Sequence, residues 1–148
     1  MSIEEIENSI IDEFELFGED WESKYEHIID LGKHLPLIDP ALKTEERIIK
    51  GCQSRVWLNS ELKEGKLVFT ADSDAIITKG MVALIIRVLS GQTPQEVVNA
   101  KLDFINKIGL VQHLSPTRAN GLVSMITKMK QEALKMVQSG SNSSNSSK

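Results

Sequence analysis

The chain has 148 residues, of which 41% are hydrophobic and 26% are charged, with a formal net charge of −4. This length and composition predict one soluble globular domain, and the acidic balance argues against a nucleic-acid surface, which normally carries a clustered basic footprint. The N-terminus lacks a basic start followed by an apolar run, and the longest strongly apolar stretch, Met81–Ile86, is far shorter than the roughly 20 residues that span a bilayer. We therefore expect a cytoplasmic protein with no membrane contact.

The first third of the chain predicts two helices. Ser2 and Glu5 have the spacing of a capping box, and apolar residues follow at helical intervals as far as Gly18, where the helix is expected to end. Asp20 is a suitable cap for a second helix, which Pro36 closes.

The middle of the chain predicts a small antiparallel sheet. Residues 56–59 and 67–70 carry bulky apolar side chains at every second position, which is typical of strands. Residues 63–66 lie between them and suit a hairpin turn. Residues 48–49 suit a preceding strand, which would place residues 51–54 in the link between two strands.

The second half returns to helices. Asp74 is predicted to cap a central helix over residues 75–89, which is apolar on nearly every side and therefore buried. A second capping box over residues 93–96 and a short helix over residues 102–108 follow. A last helix opens at residues 115–116. Its predicted buried stripe comprises Ala119, Leu122, Ile126, Met129, Ala133 and Met136 or Val137.

Residues 139–148 hold no apolar side chain and predict a disordered tail rich in serine and asparagine. The remainder, residues 1–138, is predicted to be a single domain. Helices, a small antiparallel sheet and then more helices make the fold class α+β.

Cys52 is the only cysteine, so it cannot close a disulfide within the chain, and alone it cannot build a zinc or iron–sulfur site. A lone cysteine is commonly just a small apolar side chain. Its neighbours Gly51, Gln53 and Ser54, however, are typical of a polar loop and not of a core.

Three basic residues close in sequence, Arg47, Lys50 and Arg55, would favour the reactive thiolate of that cysteine if they also lie close in space. A single thiol could then act as a hydrolase nucleophile, exchange a persulfide with a partner, or be structural. A hydrolase needs a general base, for which His113 is the candidate. Persulfide exchange needs only one nucleophilic thiol, and an apolar pocket would protect the product.

Residues 51–57, Gly-Cys-Gln-Ser-Arg-Val-Trp, resemble the cysteine motif of the SufE family of sulfur-acceptor proteins. Residues 73–80 and 113–122 resemble the second and third blocks of that family, in the same order and with similar spacing, and residues 31–36 also fit. The resemblance covers about Tyr25 to Met129.

The resemblance implies a fold similar to that of the IscU scaffold proteins, with a small antiparallel sheet packed against helices and a central buried helix. It implies that Cys52 carries a persulfide taken from a SufS-type cysteine desulfurase, or from a CsdA-type enzyme, which the chain stimulates. The sulfur would pass to a SufB-containing scaffold for iron–sulfur cluster assembly. The chain itself would need no cofactor and no metal, since pyridoxal phosphate belongs to the desulfurase. It would not be a stand-alone enzyme.

The other motif residues are expected to support the cysteine loop: Gly51, Gln53, Ser54, Asp74, His113 and Arg118. His113 and Arg118 could instead contact a partner or belong to a helix start. Two alternatives to the sulfur carrier remain open, a cysteine hydrolase with Cys52 as nucleophile and His113 as base, and a regulatory module that stimulates a desulfurase without using its thiol. A homodimer is also possible.

Overall fold

A computed structural model describes the backbone of residues 1–146 and the side chains of residues 1–139. It confirms the predicted α+β class, with two helices, a two-stranded hairpin and then four helices among the described residues. These elements are α1 (Ile3–Glu15), α2 (Trp21–Gly32), β1 (Val56–Lys63), β2 (Lys66–Ser73), α3 (Ile76–Leu89), α4 (Pro94–Asn99), α5 (Phe104–Lys107) and α6 (Pro116–Ser146).

The predicted helix starts are confirmed at α1, α2 and α4. Ser2 accepts a hydrogen bond from the Glu5 backbone, and the Glu5 carboxylate accepts one from the Ser2 backbone, which completes the capping box. The same reciprocal pair forms at the start of α4. Asp20 caps α2 by accepting from the Ser23 backbone at 3.2 Å.

The prediction that Asp74 caps the central helix is wrong. The residue at the cap position of α3 is Ala75, and no side chain bonds the first turn. Asp74 lies one residue too early and its carboxylate is used elsewhere, as described below.

β1 and β2 pair antiparallel, with Val56 opposite Ser73 and Lys63 opposite Lys66. Glu64 and Gly65 form the turn with φ values of 52° and 81°, as the predicted hairpin requires. The alternating apolar side chains face the core: Val56, Leu58, Leu67, Phe69 and Ala71 are all buried.

The predicted strand over residues 48–49 is not formed. Ile48 makes one isolated antiparallel bridge with Trp57, and the Ile49 N–H donates to the Val56 carbonyl at 2.8 Å. The short 3₁₀ turn Glu45–Arg47 immediately before it leaves no length for a strand. The cysteine loop therefore links an isolated bridge to β1.

α3 is the centre of the molecule, as predicted, and ten of its fourteen residues are buried. It packs against α1, α2, α6 and β2. Two glycines permit its close crossing with α2: a side chain on Gly80 would lie 2.1 Å from the Ile28 carbonyl oxygen, and one on Gly32 would lie 2.9 Å from the Gly80 nitrogen.

α6 buries Leu122, Met129 and Ala133 of its predicted stripe, and it also buries Met125, which the prediction omitted. The backbone of α6 continues to Ser146. Side chains beyond residue 139, and residues 147–148 altogether, lie outside the described part, so the disordered tail at 139–148 stays a prediction. Among the described residues, none of the helices has the length and apolar character that a membrane crossing requires.

Candidate functional site

Cys52 lies half-buried in the loop before β1, with its sulfur against α6. The Cys52 thiol donates to the Gly121 carbonyl oxygen at an Sγ–O distance of 3.5 Å. Gly51 has a φ of +93°, and a side chain there would meet the Ser124 hydroxyl oxygen at 2.4 Å. Gly51 is therefore required both for its left-handed backbone and for the close approach of the loop to α6.

The other end of the loop is fixed to the junction between β2 and α3. The Asp74 carboxylate accepts from the Arg55 N–H at 3.0 Å, and the Asp74 N–H donates to the Arg55 carbonyl at 3.3 Å. The Ser73 hydroxyl donates to that same carbonyl at 2.9 Å. Asp74 thus supports the loop, through these backbone hydrogen bonds and not through a helix cap.

Cys52 lines a cavity of about 160 Å³ between the loop, α3 and α6. Its lining combines apolar and polar side chains: Cys52, Gln53, Ser54, Ala75, Ile76, Ile77, Thr78, Met81, Thr117, Arg118, Gly121 and Met125. The loop contacts α3 through a hydrogen bond from the Thr78 hydroxyl to the Ser54 hydroxyl at 3.4 Å. Three of the predicted site residues, Gln53, Ser54 and Arg118, are therefore brought together with Cys52.

Two helix N-termini border this cavity. The lining residues include Ala75, at the cap position of α3, and Ile76–Thr78 in its first turn, while Thr117 and Arg118 lie in the first turn of α6. The backbone N–H groups of a first helical turn have no partners within the helix, and the helix dipole makes this end partly positive. Because α3 has no side-chain cap, this end of the helix favours a negative charge in the cavity.

Burial raises the pKa of the Cys52 thiol above its ordinary value, because the thiolate loses hydration there. The basic residues near it in sequence do not offset this effect. Arg47 is turned away and donates to the Asn59 side chain at 3.2 Å, and neither Lys50 nor Arg55 lines the cavity. Free Cys52 therefore rests as a thiol bonded to the Gly121 carbonyl.

His113 does not line the cavity, and none of the other histidines in the described part of the chain does. Its ring stacks on Trp21 with centroids 3.8 Å apart, and its Nδ1 lies 3.0 Å from the Gly109 carbonyl oxygen. The Tyr25 hydroxyl donates to the His113 carbonyl. His113 thus fixes the segment that leads into α6, and it is not placed as a base for Cys52.

Comparisons with known proteins agree with the motif blocks. Residues 8–133 match the SufE family, described as an Fe-S metabolism associated domain. The chain belongs to the SufE family.

An uncharacterized SufE-like protein of Rhizobium meliloti (strain 1021) is 41% identical over 131 residues, covering 85% of this chain and 93% of that protein. SufE-like protein 1, chloroplastic/mitochondrial, of Arabidopsis thaliana is 39% identical over 125 residues, which cover 84% of this chain but only 34% of that longer protein. The solution structure of a hypothetical protein from Thermus thermophilus has the same fold, with a TM-score of 0.74 at 18% identity over 90% of this chain and 96% of that one.

Thr78 and Gly121 are among the site residues of this SufE-family chain that escaped prediction from the sequence. Thr78 is a buried polar residue on the otherwise apolar α3, and Gly121 supplies the carbonyl that accepts from Cys52. Thr78 breaks the apolar run of the central helix, and Gly121 lies within the third motif block, so each position carried a signal. The sequence does not indicate what either residue contacts, because those contacts depend on how α3 and α6 pack around the loop.

Proposed function

We propose that this SufE-family protein carries sulfur as a persulfide on Cys52. The donor is a pyridoxal-phosphate-dependent cysteine desulfurase of the SufS type, or of the CsdA type, whose turnover the chain stimulates. The acceptor is a SufB-containing scaffold complex for iron–sulfur cluster assembly. The observation that carries the proposal is the position of the only cysteine in the sequence, which lines a cavity bordered by two helix N-termini and Arg118.

The cavity suits one additional sulfur atom. Its volume of about 160 Å³ is well above the roughly 10–15 Å³ that a cavity needs to hold one water molecule. The terminal sulfur of a persulfide carries negative charge once it loses its proton, and the Arg118 guanidinium and the α3 N-terminus are positive. Ile77, Met81 and Met125 supply apolar lining that limits attack by water and foreign thiols.

The transfer is a thiol exchange. The Cys52 thiol first gives up its proton to solvent or to the partner, and its hydrogen bond to the Gly121 carbonyl breaks. The thiolate then attacks the terminal sulfur of the donor persulfide, the donor's sulfur–sulfur bond breaks, and the donor cysteine leaves as a thiolate. The products are a Cys52 persulfide and a free donor thiolate, with no net oxidation.

Release of the sulfur repeats the same chemistry in reverse order. A thiolate on the acceptor attacks the terminal sulfur of the Cys52 persulfide, and Cys52 leaves as a thiolate that takes up a proton. Because Cys52 is half-buried and its thiol donates to the Gly121 carbonyl, we infer that the loop opens before each attack. The hydrogen bonds at Gly121, Asp74, Ser73 and Thr78 hold it closed.

The geometry favours persulfide exchange over a hydrolase function. Among the described residues, the cavity offers Cys52 no histidine, and His113 is engaged with Trp21 and Gly109. A purely regulatory module would stimulate a desulfurase without the thiol, so the substitution Cys52→Ser separates that alternative.

The test measures the turnover of a desulfurase with free cysteine in the presence of this protein. We expect the wild-type chain to raise turnover and Cys52→Ser to abolish the increase. A matched variant, Cys52→Ser combined with Gln53→Cys, moves the thiol to an exposed neighbouring residue and should restore little stimulation. Full stimulation by Cys52→Ser would contradict the proposal.

A further inference from the structure

Charge is distributed unevenly along the chain. Residues 1–30, which form α1 and most of α2, contain eleven Asp and Glu but one Lys. The three segments that build the Cys52 site, residues 43–60, 72–79 and 115–128, contain seven Lys and Arg and four Asp and Glu. The whole chain has 17 basic and 21 acidic residues. These three segments, which we call the site end, are therefore positive, and the rest of the chain is negative.

Three cations of the site end are exposed and have no ion pair among the described residues: Arg118, which lines the cavity, and Lys50 and Arg55, which lie outside it. Lys50 and Arg55 lie on either side of the cysteine loop, and among the described residues neither has a carboxylate within ion-pair distance. Two carboxylates are nearby: Asp74, which accepts from the Arg55 backbone, and Glu46, which lines a groove together with Lys50. These anions reduce the positive field but pair with neither side chain.

The mouth of the cavity also exposes an apolar side chain. Ile76, the first residue of α3, lines the cavity and is 65% exposed. Ile76 lies two residues after Asp74, whose carboxylate accepts from the Arg55 backbone, so an exposed apolar side chain accompanies the charges of this surface, as is common at protein-docking surfaces.

We propose that Lys50 and Arg55 form an electrostatic docking surface for an acidic rim around the persulfide of the sulfur-donating protein. The opposite charges raise the rate of encounter, and the acidic α1 and α2 repel the same rim, so the donor approaches with its sulfur toward Cys52. This inference rests on the proposed function and names the surface chemistry of its partner.

The first experiment measures the KM of a SufS-type desulfurase for this protein, and in parallel that of a CsdA-type enzyme. The test variant carries Lys50→Glu and Arg55→Glu. The control carries Lys66→Glu and Lys101→Glu, two exposed cations that also lack an ion pair among the described residues, so the net charge changes equally. β1 separates Lys66 from the loop by eight strand residues, or about 26 Å.

At low salt we expect the test variant to raise the KM by about tenfold and the control to change it less than about twofold. The difference should disappear at high salt, because exposed charges are then screened. Equal KM values for the two variants, or a difference that salt does not reduce, would overturn the inference. A thermal melt of each variant confirms that it is folded.

A second measurement needs no partner. Two methanethiosulfonate reagents of similar size, an anionic ethylsulfonate and a cationic ethyltrimethylammonium, are reacted with Cys52. The ratio of the two rates is compared with the ratio for a small free thiol, since a thiolate by itself reacts faster with the cationic reagent. A positive rim shifts the ratio toward the anionic reagent, and Lys50→Glu with Arg55→Glu should shift it back. A wild-type ratio shifted toward the cationic reagent would contradict a positive rim.

The two levels of the account can fail separately. If sulfur reaches Cys52 but the KM does not respond to Lys50→Glu and Arg55→Glu, the docking inference fails and the proposed function stands. If no sulfur reaches Cys52 from an active desulfurase, the proposed function fails, whatever the reagents show about the charge of the rim.

Discussion

At the scale of single residues, the reactivity of Cys52 is set by two opposing influences. Burial raises the pKa of its thiol, whereas Arg118 and the α3 N-terminus favour negative charge in the adjoining cavity. The thiol is therefore protected while the loop is closed, and a persulfide that extends into the cavity meets the positive groups. Under the proposed function, one residue would thus serve both storage and transfer.

The raised thiol pKa predicts the pH dependence of alkylation. The rate for the wild-type protein should still rise with pH beyond about 8.5, where an ordinary exposed thiol begins to level off. The control is Cys52→Ser with Gln53→Cys, whose thiol is exposed. If the alkylation rates of the two proteins had the same midpoint pH, burial would not be what sets the pKa of the Cys52 thiol.

Asp74 holds the loop end through the Arg55 N–H. Asp74→Ala removes this acceptor and should increase the open population, and hence the alkylation rate of Cys52, by about fivefold, corresponding to about 1 kcal/mol. Asp74→Asn keeps a side-chain oxygen at the same place and should react almost as slowly as the wild type. Equal acceleration by both variants would mean that charge, and not this hydrogen bond, holds the loop.

At the scale of elements, α3 connects the core to the site. Its first turn borders the cavity, and its middle crosses α2 at Gly80 with no space for a side chain. α1 is joined to it by Arg87, which donates to the Glu13 carboxylate, and Glu13 also contacts His27 of α2 at 3.1 Å. The position of the cavity therefore depends on contacts along the whole helix.

Two glycine substitutions should act in opposite directions on the free energy of unfolding. Gly80→Ala forces a methyl group against the Ile28 carbonyl and should destabilise the protein by about 2–3 kcal/mol. Gly121→Ala places its methyl group 3.6 Å from the Cys52 sulfur, an ordinary contact, and should stabilise α6 by about 0.5–1 kcal/mol. Urea denaturation measures both, and a neutral Gly80→Ala would contradict the close crossing.

The ion pair between Glu13 and Arg87 predicts an acid-dependent stability. The hydrogen bond from Arg87 lowers the pKa of the Glu13 carboxyl, so this contribution is complete above the carboxyl's ordinary pKa of 4.5 and is lost as the pH falls through the lower folded value. Glu13→Gln should therefore be less stable than the wild type at about pH 7 and should approach it in acid. Glu15→Gln, on the exposed side of α1, is the control and should show no such convergence.

At the scale of the whole molecule, the class, the hairpin and the buried central helix could be predicted from the sequence, because apolar spacing and helix caps are local signals. The contacts of Asp74 and His113 could not, because each partner is distant in sequence, Arg55 for Asp74 and Trp21 for His113. Met125 was missed for a similar reason, since the width of the stripe on α6 is set by the cavity and core beside it.

The sulfur itself is the most direct test of the account. The protein is incubated with a desulfurase and free cysteine, and its intact mass is then measured without reductant. The account predicts a gain of one sulfur atom that reductant removes and that Cys52→Ser does not show. An unchanged mass beside an active desulfurase, or an equal gain in Cys52→Ser, would contradict it.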